Sequence, residues 1–257
     1  MLFRSQLALF YQPRVSLRDG AIEGAEALLR WFHPDLGEIP PKKFIRVAEE
    51  TGLIFDLGTW VFRRACTQLK DWEARGLPIR TLSINFSARQ LLMRDLADRV
   101  AVILAEVGCD ARKIEVEITE TSMLFDVLTT KRVVTALKRL GLRIAIDDFG
   151  TGFSSLSHLQ QLDIDALKVD QTFVRDLLVD AGDAAITRAV IGLGRGIGLQ
   201  VIAEGVENAR QLAFLKECGC DLYQGFHFSP AINAAAFEDL MRLHLQATAK
   251  TTPRPGR

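Results

Sequence analysis

The stretch Arg143-Ile144-Ala145-Ile146-Asp147-Asp148-Phe149-Gly150-Thr151-Gly152-Phe153-Ser154-Ser155 decides the fold. A short apolar run, typical of a buried strand, reaches two adjacent carboxylates and then breaks into a loop with two glycines. Two ionised carboxylates ~4 Å apart repel each other by about 4 kcal/mol at an effective dielectric constant of about 20. We therefore expect a cation beside Asp147 and Asp148. The alternative is that one of them caps a following helix.

The composition is that of a soluble, well-packed protein. Its 257 residues, 48% hydrophobic and 25% charged, allow two small domains or one large barrel. Thirty-two basic and thirty-two acidic residues cancel, so no general basic field exists to hold a nucleic-acid polymer or a membrane surface. No apolar run approaches the ~20 residues of a membrane span, and the first residues lack the features of a signal peptide. We therefore expect no direct membrane contact.

The four cysteines indicate a reducing compartment. Cys66, Cys109, Cys218 and Cys220 are scattered, and a chain of this size needs no disulfide framework. The histidines do not show the spacing of a zinc site. We predict reduced, structural cysteines and a cytoplasmic location.

Strand-like and helix-like segments alternate along the chain. The predicted strands are 7–13, 22–29, 81–86, 114–120, 143–149, 166–170, 199–205 and 222–226. Helical spacing covers 44–48, 57–72, 91–107, 128–140, 156–162, 172–197, 209–218 and 234–245. Pro13 is expected to end the first strand, because proline cannot donate to a ladder.

This alternation predicts an α/β protein with one domain, a (β/α)8 TIM-type barrel over residues 1–247. The apolar strands suit a parallel sheet that is buried on both faces. Residues 248–257 are small, polar and proline-bearing, so we expect a disordered tail. A doubly wound open sheet is the alternative, but no glycine-rich dinucleotide motif follows the first strand.

Strand parity predicts a polar rim at one end of the barrel. Alternate residues of a strand share a face, and several strands combine one apolar face with a polar group near the carboxyl end of the other. Those ends form one edge of a barrel, where reaction sites lie. The predicted rim residues are Glu26, Asn85, Glu117, Asp147, Asp148, Lys168, Asp170, Glu204 and Gln224. Glu115 shares the parity of Glu117 but would lie deeper, and the sequence reveals no partner for it.

The rim chemistry favours hard divalent cations. Oxygen ligands without histidine or cysteine select Mg²⁺ or Mn²⁺ before zinc, and this many carboxylates favour two ions over one. Two metal ions can hold a phosphodiester, activate a water and stabilise the leaving oxygen. Two other hypotheses stay open from the residues alone. One is a lyase with a single Mg²⁺ and Lys168 as its base, and the other is a rim that is structural or only binds ligands.

Nine motifs over residues 8–240 resemble the EAL family of cyclic di-GMP phosphodiesterases. In chain order they are Tyr11-Gln12-Pro13, Glu26-Ala27-Leu28-Leu29-Arg30-Trp31, Ala48-Glu49-Glu50-Thr51-Gly52, Asn85-Phe86-Ser87-Ala88-Arg89-Gln90, Glu117-Ile118-Thr119-Glu120, Asp147-Asp148-Phe149-Gly150-Thr151-Gly152, Lys168-Val169-Asp170, Glu204-Gly205-Val206-Glu207 and Gln224-Gly225. The resemblance implies an enzyme, a cyclic-guanylate-specific phosphodiesterase. It would hydrolyse cyclic di-GMP to linear pGpG with two Mg²⁺ or Mn²⁺ ions per active site.

The resemblance also implies which residues hold the metal ions. The implied ligands of the first ion are Glu26, Asn85, Glu117 and Asp147. Asp147 would bridge to a second ion, which Asp148 also holds with Glu204 beside it.

Three of the implied residues are catalytic: Lys168, Glu204 and Glu26. In family mechanisms Lys168 and Glu204 order or activate the attacking water. Because carboxylates surround Lys168, it should stay protonated. We therefore assign Lys168 to water orientation and phosphate stabilisation, and we assign water activation to the metal ions.

The implied substrate contacts are Gln12, Leu28, Arg30 and Gln224. Arg30 suits a phosphate, because its planar fork can donate two parallel hydrogen bonds. The alternative for Arg30 is a surface ion pair. One departure from the family pattern lies nearby, since Pro230-Ala231 replaces a basic residue followed by proline.

The resemblance assigns supporting roles to three further acids. Glu120 would anchor the loop 148–155, which in this family helps to form the second metal site and often touches a partner subunit. The alternative for Glu120 is an acid at a helix N-terminus. Asp170 would hold Lys168 in place, and Glu207 would be structural.

The resemblance finally concerns partners and context. It implies a homodimer through the helix and loop after the fifth strand. The chain is also compatible with a fragment of a larger, membrane-attached sensor protein. A different class remains as an alternative, a catalytically silent cyclic di-GMP receptor, although such relatives commonly lack some of the rim acids that are present here.

Overall fold

Eight strands close into a barrel in the computed structural model, which describes residues 6–151, 159 and 162–251. In chain order the strands are β1 (Leu7–Ser16), β2 (Ile22–His33), β3 (Gly37–Ile39), β4 (Thr81–Phe86), β5 (Ile114–Thr119), β6 (Arg143–Phe149), β7 (Ala166–Val169), β8 (Gln200–Ala203) and β9 (Leu222–Tyr223). The ring runs β1-β9-β8-β7-β6-β5-β4-β2, and pairing of β1 with β2 closes it. β3 is a short hairpin partner of β2 outside the ring. The predicted TIM-type barrel is confirmed.

Helices follow most strands and cover the outside of the barrel. The α-helices of the described residues are α1 (Pro41–Thr51), α2 (Ile54–Ala74), α3 (Ala88–Leu91), α4 (Leu96–Val107), α5 (Glu120–Phe125), α6 (Val127–Arg139), α7 (Gln171–Arg175), α8 (Ala181–Gly196), α9 (Ala209–Cys218) and α10 (Ala234–Thr251). The helix predicted over 91–107 is divided in two, and the helices predicted over 172–197 are α7 and α8. The helix predicted at 156–162 lies outside the described residues except for 159 and 162. Residues 248–251 of the predicted tail belong to α10. The other tail residues, 252–257, also lie outside the described residues.

The first strand departs from the parallel arrangement that the sequence predicted. β1 runs antiparallel to both of its neighbours, β2 and β9, whereas the other pairs of the ring are parallel. The cause is the short connection of residues 17–21 between β1 and β2. An antiparallel pair can be joined by a short turn, whereas a parallel pair needs a crossover of about a dozen residues or more. β1 therefore starts at the rim and ends at the floor of the barrel.

Pro13 lies inside β1, so the prediction that it ends the strand was wrong. On the side away from β2, the backbone of Tyr11 exchanges hydrogen bonds of 2.7 and 3.0 Å with Ile232. Pro13 has the same parity as Tyr11, but β9 pairs with β1 only at Val15 and Ser16. The missing N–H of Pro13 therefore falls in a gap of the ladder, where a proline is tolerated.

The apolar faces of the strands form the main core under the helices, as strand parity predicted. Eight outward residues of β4, β5, β7 and β8 are fully buried and belong to one cluster with the helices: Leu82, Ile84, Val116, Ile118, Leu167, Val169, Val201 and Ala203. A separate small cluster of Ala145, Ala166, Ile202 and Leu222 has the opposite parity. This second cluster is an apolar part of the barrel interior, where most of the other positions are polar.

Aromatic packing holds β1 against two helices. The ring of Tyr11 lies 4.7 Å from that of Trp72 on α2 and 6.2 Å from that of Phe237 on α10. Trp72 and Phe237 are themselves 4.7 Å apart and fully buried. These contacts hold β1, the antiparallel strand of the ring, and the inward residues of β1 reach the site described below.

Two glycines of α8 give a matched test of this packing. A Cβ at Gly194 would overlap Cγ2 of Val201 on β8, whereas a Cβ at Gly192 would meet open space. We expect Gly194→Ala to lower the free energy of unfolding by about 1–3 kcal/mol through overpacking. Gly192→Ala should raise it by about 0.5–1 kcal/mol, because alanine favours a helix over glycine. Urea unfolding measures both, and equal effects would contradict the packing of α8 on the barrel.

Candidate metal and active site

The centre of the rim is the ammonium group of Lys168, which is 1% exposed. Its Nζ lies 2.5 Å from Oε1 of Glu204 and 2.6 Å from Oε2 of Glu117. It also lies 3.0 Å from Oδ1 of Asp147 and 3.3 Å from Oε2 of Glu26. These four carboxylates come from β2, β5, β6 and the end of β8, so the barrel brings together residues up to 178 positions apart in the chain.

Two side-chain amides complete this arrangement. Asn85 donates from Nδ2 to Oε1 of Glu26 over 2.6 Å. Gln224 donates from Nε2 to Oε2 of Glu26 over 2.7 Å and to Oε1 of Glu204 over 3.1 Å. Seven predicted site residues thus form one network: Glu26, Asn85, Glu117, Asp147, Lys168, Glu204 and Gln224.

A second group of acids borders this network. Ligand oxygens of Asp147, Asp148 and Glu204 lie within 4.8 Å of one another. Asp148 has a φ of 54°, in the left-handed region that aspartate adopts more readily than most residues. Its backbone N–H donates to Oδ1 of Asp147 over 2.9 Å. This turn places both carboxylates of the Asp-Asp pair at the rim.

The charges around Lys168 favour its protonated form. Burial alone would lower the pKa of Lys168, but the carboxylates of Asp147, Glu117, Glu204 and Glu26 raise it well above its ordinary value. Burial likewise opposes the charge of Glu26. The nearby cations and the hydrogen bonds from the two amides nevertheless lower its pKa to about 2. Both groups are therefore charged at neutral pH, as predicted for Lys168.

Three other carboxyl groups resist ionisation without a further cation. Burial, with the charges of Glu26 and Asp147, raises the pKa of Glu117 to about 8. Burial and neighbouring carboxylates raise the pKa of Asp148 to about 7 and that of Glu204 well above its ordinary value. The protein groups alone therefore leave this site with more carboxylates than its buried cations neutralise.

The residues fit a site for hard divalent cations. The side chains of the network offer carboxylate and amide oxygens, which Mg²⁺ and Mn²⁺ prefer. Among the described residues, oxygens of Asp147, Asp148 and Glu204 lie close enough together to hold one ion. The resemblance implies a second ligand group of Glu26, Asn85, Glu117 and Asp147, whose three carboxylates all contact Lys168. Asp147 is common to both groups.

Arg14 was not predicted as a site residue, and it lies inside the barrel below Lys168. Its guanidinium group bonds to Glu115 over 2.6 Å, to Glu117 and to Gln224 over 3.1 Å. Glu115, for which the sequence revealed no partner, is bound from above by Arg14 and lies 3.3 Å from Nε of Arg143. Because Arg14 follows Gln12 by two residues, the parity of β1 was the signal that could have identified it.

The predicted substrate contacts lie around the same opening. Gln12 pairs with Glu26 across β1 and β2, and its Nε2 donates to the carbonyl of Ser229 over 3.3 Å. Leu28 follows Glu26 by two residues on β2 and is half-buried. Arg30 lies further along that face, with its Nε 3.5 Å from Oε1 of Glu38. Arg30 thus forms the surface ion pair that was its alternative, at a position near the site.

The three acids with predicted supporting roles have different surroundings. Glu120 is buried at the start of α5, and its Oε2 accepts a hydrogen bond of 2.9 Å from the backbone N–H of Gly150. This contact ties Glu120 to the start of the loop 148–155, of which residues 152–155 lie outside the described residues. Asp170 caps α7 by accepting from the backbone N–H of Thr172 over 2.7 Å, and its carboxyl group also interacts with that of Asp148. Glu207 is exposed.

Comparison with known proteins identifies the family. The sequence profile of the EAL domain matches residues 1–231. The chain belongs to the EAL domain family. Among EAL proteins it is 41% identical over 239 residues to the cyclic di-GMP phosphodiesterase NbdA of Pseudomonas aeruginosa. That alignment covers 93% of this chain and 30% of NbdA. It is 39% identical over 245 residues to the cyclic di-GMP phosphodiesterase PdeR of Escherichia coli, covering 95% of this chain and 37% of PdeR.

Solved EAL structures share the fold. A structure described as the PaMucR phosphodiesterase in complex with c-di-GMP has a TM-score of 0.88 and 39% identity, and the alignment covers 91% of this chain and 95% of that one. The chain spans about a third of the length of the two relatives named above. Each helix of the described residues is too short or too polar to span a membrane.

Metal binding should be visible in thermal unfolding. A divalent ion that binds the folded protein at about 100 times its dissociation constant stabilises it by about 2.7 kcal/mol. We therefore expect millimolar Mn²⁺ or Mg²⁺ to raise the Tm by roughly 5–10 °C. Asp147→Asn should lose most of this metal-dependent shift, because Asp147 belongs to both ligand groups.

Glu207→Gln is the control for this measurement, because Glu207 is acidic, exposed and outside the network. It should keep the full shift in differential scanning calorimetry. A Tm of the unaltered protein that stays the same with and without the metal would contradict the candidate site.

Proposed function

We propose that this chain is a metal-dependent phosphodiesterase that hydrolyses cyclic di-GMP to linear pGpG. The observation that carries the proposal is the convergence of four carboxylates on Nζ of Lys168 within 2.5–3.3 Å. The names of NbdA and PdeR and the c-di-GMP complex of PaMucR support the substrate. The proposed catalytic domain is the barrel of residues 1–247.

The proposed metal ligands are the two groups that share Asp147. Glu26, Asn85, Glu117 and Asp147 would hold one Mg²⁺ or Mn²⁺ ion, and Asp148 with Asp147 and Glu204 would hold the other. When bound, such ions neutralise phosphate charge and acidify a coordinated water. The protein contributes the fixed positions of these ligands.

Lys168 is assigned to phosphate stabilisation and water orientation. Its ammonium group is held protonated by the surrounding carboxylates, so it can donate hydrogen bonds but cannot accept a proton. A donor fixed where negative charge develops on the phosphate lowers the barrier, because it needs no reorganisation during the reaction. A protonated Lys168 cannot act as the base that the lyase hypothesis requires.

Glu204 is assigned to the attacking water. Its side chain is 15% exposed, so a water can reach it from the opening. Lys168 at 2.5 Å and Gln224 at 3.1 Å both bind Oε1 of Glu204, which leaves its other oxygen to accept a hydrogen bond from a water.

Arg30 is assigned to a phosphate of the substrate, with Gln12, Leu28 and Gln224 as further contacts. The ion pair of Arg30 with Glu38 is 3.5 Å long, and the side chain of Glu38 is 54% exposed. Exposed pairs of this kind contribute little free energy. A phosphate can therefore replace Glu38 as the partner of Arg30 at little cost.

The assembly and location of the protein stay predictions. We propose a homodimer through the helix and loop after β6, with Glu120 anchoring the loop that would touch the partner. We also propose a cytoplasmic setting, with this chain as one part of a longer signalling protein.

The proposal predicts metal-dependent turnover that a few substitutions abolish. With Mg²⁺ or Mn²⁺ the protein should convert cyclic di-GMP to pGpG, measured by chromatography of the nucleotides. Glu26→Ala should lower kcat by at least about 100-fold through loss of metal ligation and ligand orientation, and Lys168→Ala by a similar factor through loss of a preorganised donor. Glu207→Gln should retain activity. Binding of cyclic di-GMP without turnover in both metals would instead support a silent receptor.

Arg30 should affect substrate binding more than chemistry. Arg30→Ala removes a bidentate phosphate donor, so we expect KM to rise by about 10-fold or more, the equivalent of about 1.4 kcal/mol, with a smaller change in kcat. Glu38→Gln frees Arg30 from its ion pair and is expected to leave KM unchanged or lower it. Steady-state kinetics measure both variants, and an unchanged KM in Arg30→Ala would contradict the phosphate contact.

A further inference from the structure

Arg14 lies inside the barrel with its side chain 2% exposed. Its Nε donates to Oε1 of Gln224 over 3.1 Å, and one terminal nitrogen donates to Ser83 and, over 2.6 Å, to Oε1 of Glu115. The other terminal nitrogen donates to Oε1 of Glu117. A guanidinium group keeps its charge and presents its donors in one rigid plane. Arg14 therefore fixes the relative positions of four groups on three other segments of the barrel, β4, β5 and the end of β9.

The first consequence concerns Glu117. Arg14 binds Oε1 of Glu117, whereas Oε2 of the same carboxylate lies 2.6 Å from Nζ of Lys168. The two oxygens thus face opposite ends of the barrel. Arg14 holds Glu117 so that Oε2 points to the rim, where the candidate metal ligands lie.

The second consequence concerns the orientation of Gln224. Because Nε of Arg14 requires an acceptor, the amide oxygen of Gln224 faces Arg14 and its Nε2 faces the rim. From there Nε2 donates to Glu26 over 2.7 Å and to Glu204 over 3.1 Å. One guanidinium group is thus connected to Glu117 directly and to Glu26 and Glu204 through Gln224.

The position of Arg14 depends on the antiparallel strand and on a charged floor. The pairing of β1 with β2 changes register directly after Arg14, since Arg14 pairs with Gly24 and Val15 pairs with Ile22. Below Arg14, Glu115 is also held by Arg143 at 3.3 Å, and a cavity of about 250 Å³ opens there. The floor is therefore supported by ion pairs, with little apolar packing to hold Arg14 in place.

We propose that Arg14 is a positioning residue for the metal centre, acting through the fork geometry of its guanidinium group. The inference rests on the proposed function only in taking Glu26, Glu117 and Glu204 as metal ligands. Residues that orient metal ligands through hydrogen bonds commonly change metal affinity by about 10–100-fold when they are replaced.

Arg14→Lys tests the proposal, because it keeps the charge and removes the fork. We expect the variant to keep its far-UV circular dichroism and to bind Mn²⁺ alone about 10–100-fold more weakly in calorimetric titration. Arg143→Lys is the matched control, since the hydrogen bonds of Arg143 in the described structure go to Glu115 and Gln200. It should leave the Mn²⁺ affinity nearly unchanged.

A double-variant cycle separates positioning from a general structural effect. If Arg14 acts partly through Gln224, then Arg14→Lys should weaken Mn²⁺ binding less in the Gln224→Ala protein than in the unaltered protein. Equal factors in both backgrounds would overturn the connection through Gln224.

A folded Arg14→Lys protein that binds Mn²⁺ as tightly as the unaltered protein overturns the inference and leaves the proposed function intact. If the unaltered protein fails to bind Mn²⁺, the proposed metal centre itself is wrong. Should Arg14→Lys fail to fold, Arg14→Gln with Glu115→Gln removes both charges of the buried pair together. The control is the double variant Arg143→Gln with Glu115→Gln. The double variant that lacks Arg14 must bind Mn²⁺ more weakly than this control, and equal affinities overturn the inference.

Discussion

The structure depends on the concentration of negative charge around one buried ammonium group. Lys168 contacts four carboxylates at once, and Asp148 lies close by. A single lysine cannot neutralise so many acids, and burial makes their mutual repulsion costly. The protein tolerates this arrangement because the barrel fixes each acid on a strand that is packed from outside. The resulting excess of oxygen ligands is the property that suits the site to divalent ions.

The residues that stabilise the fold and the residues that form the site lie on opposite faces of the strands. Outward residues such as Ile84, Val116 and Val201 lie in the main core with the helices, and their burial supplies most of the favourable free energy. Inward residues contribute a small apolar cluster around Ile202 and are otherwise mostly polar or charged. Substitutions that change the site can therefore leave the helical shell intact, which is a condition for testing the roles of the site residues one at a time.

Much of the site followed from the sequence, because short-range pattern and strand direction together decide which residues reach the rim. Short apolar runs lead to the Asp147-Asp148 pair, to Lys168 and to Glu204. The structure brings these residues together at the rim, as expected. Arg14 did not follow, because the first strand was predicted to end at Pro13 and to belong to an all-parallel sheet. Glu115 had no visible partner for the same reason, since its partner enters the barrel from the opposite direction. The strand predicted to include Asp170 ends at Val169, and Asp170 instead caps α7 through the backbone N–H of Thr172.

The sequence by itself determined the eight-stranded barrel, the polarity of its rim and membership in the EAL family, because period-two alternation and motif order are local properties of the chain. Only the tertiary structure decided which charges pair inside the barrel. Those pairs join residues that are distant in sequence, such as Arg14 and Gln224, 210 positions apart. Their geometry depends on strand direction and register, and a one-residue change in register would turn these side chains to the other face.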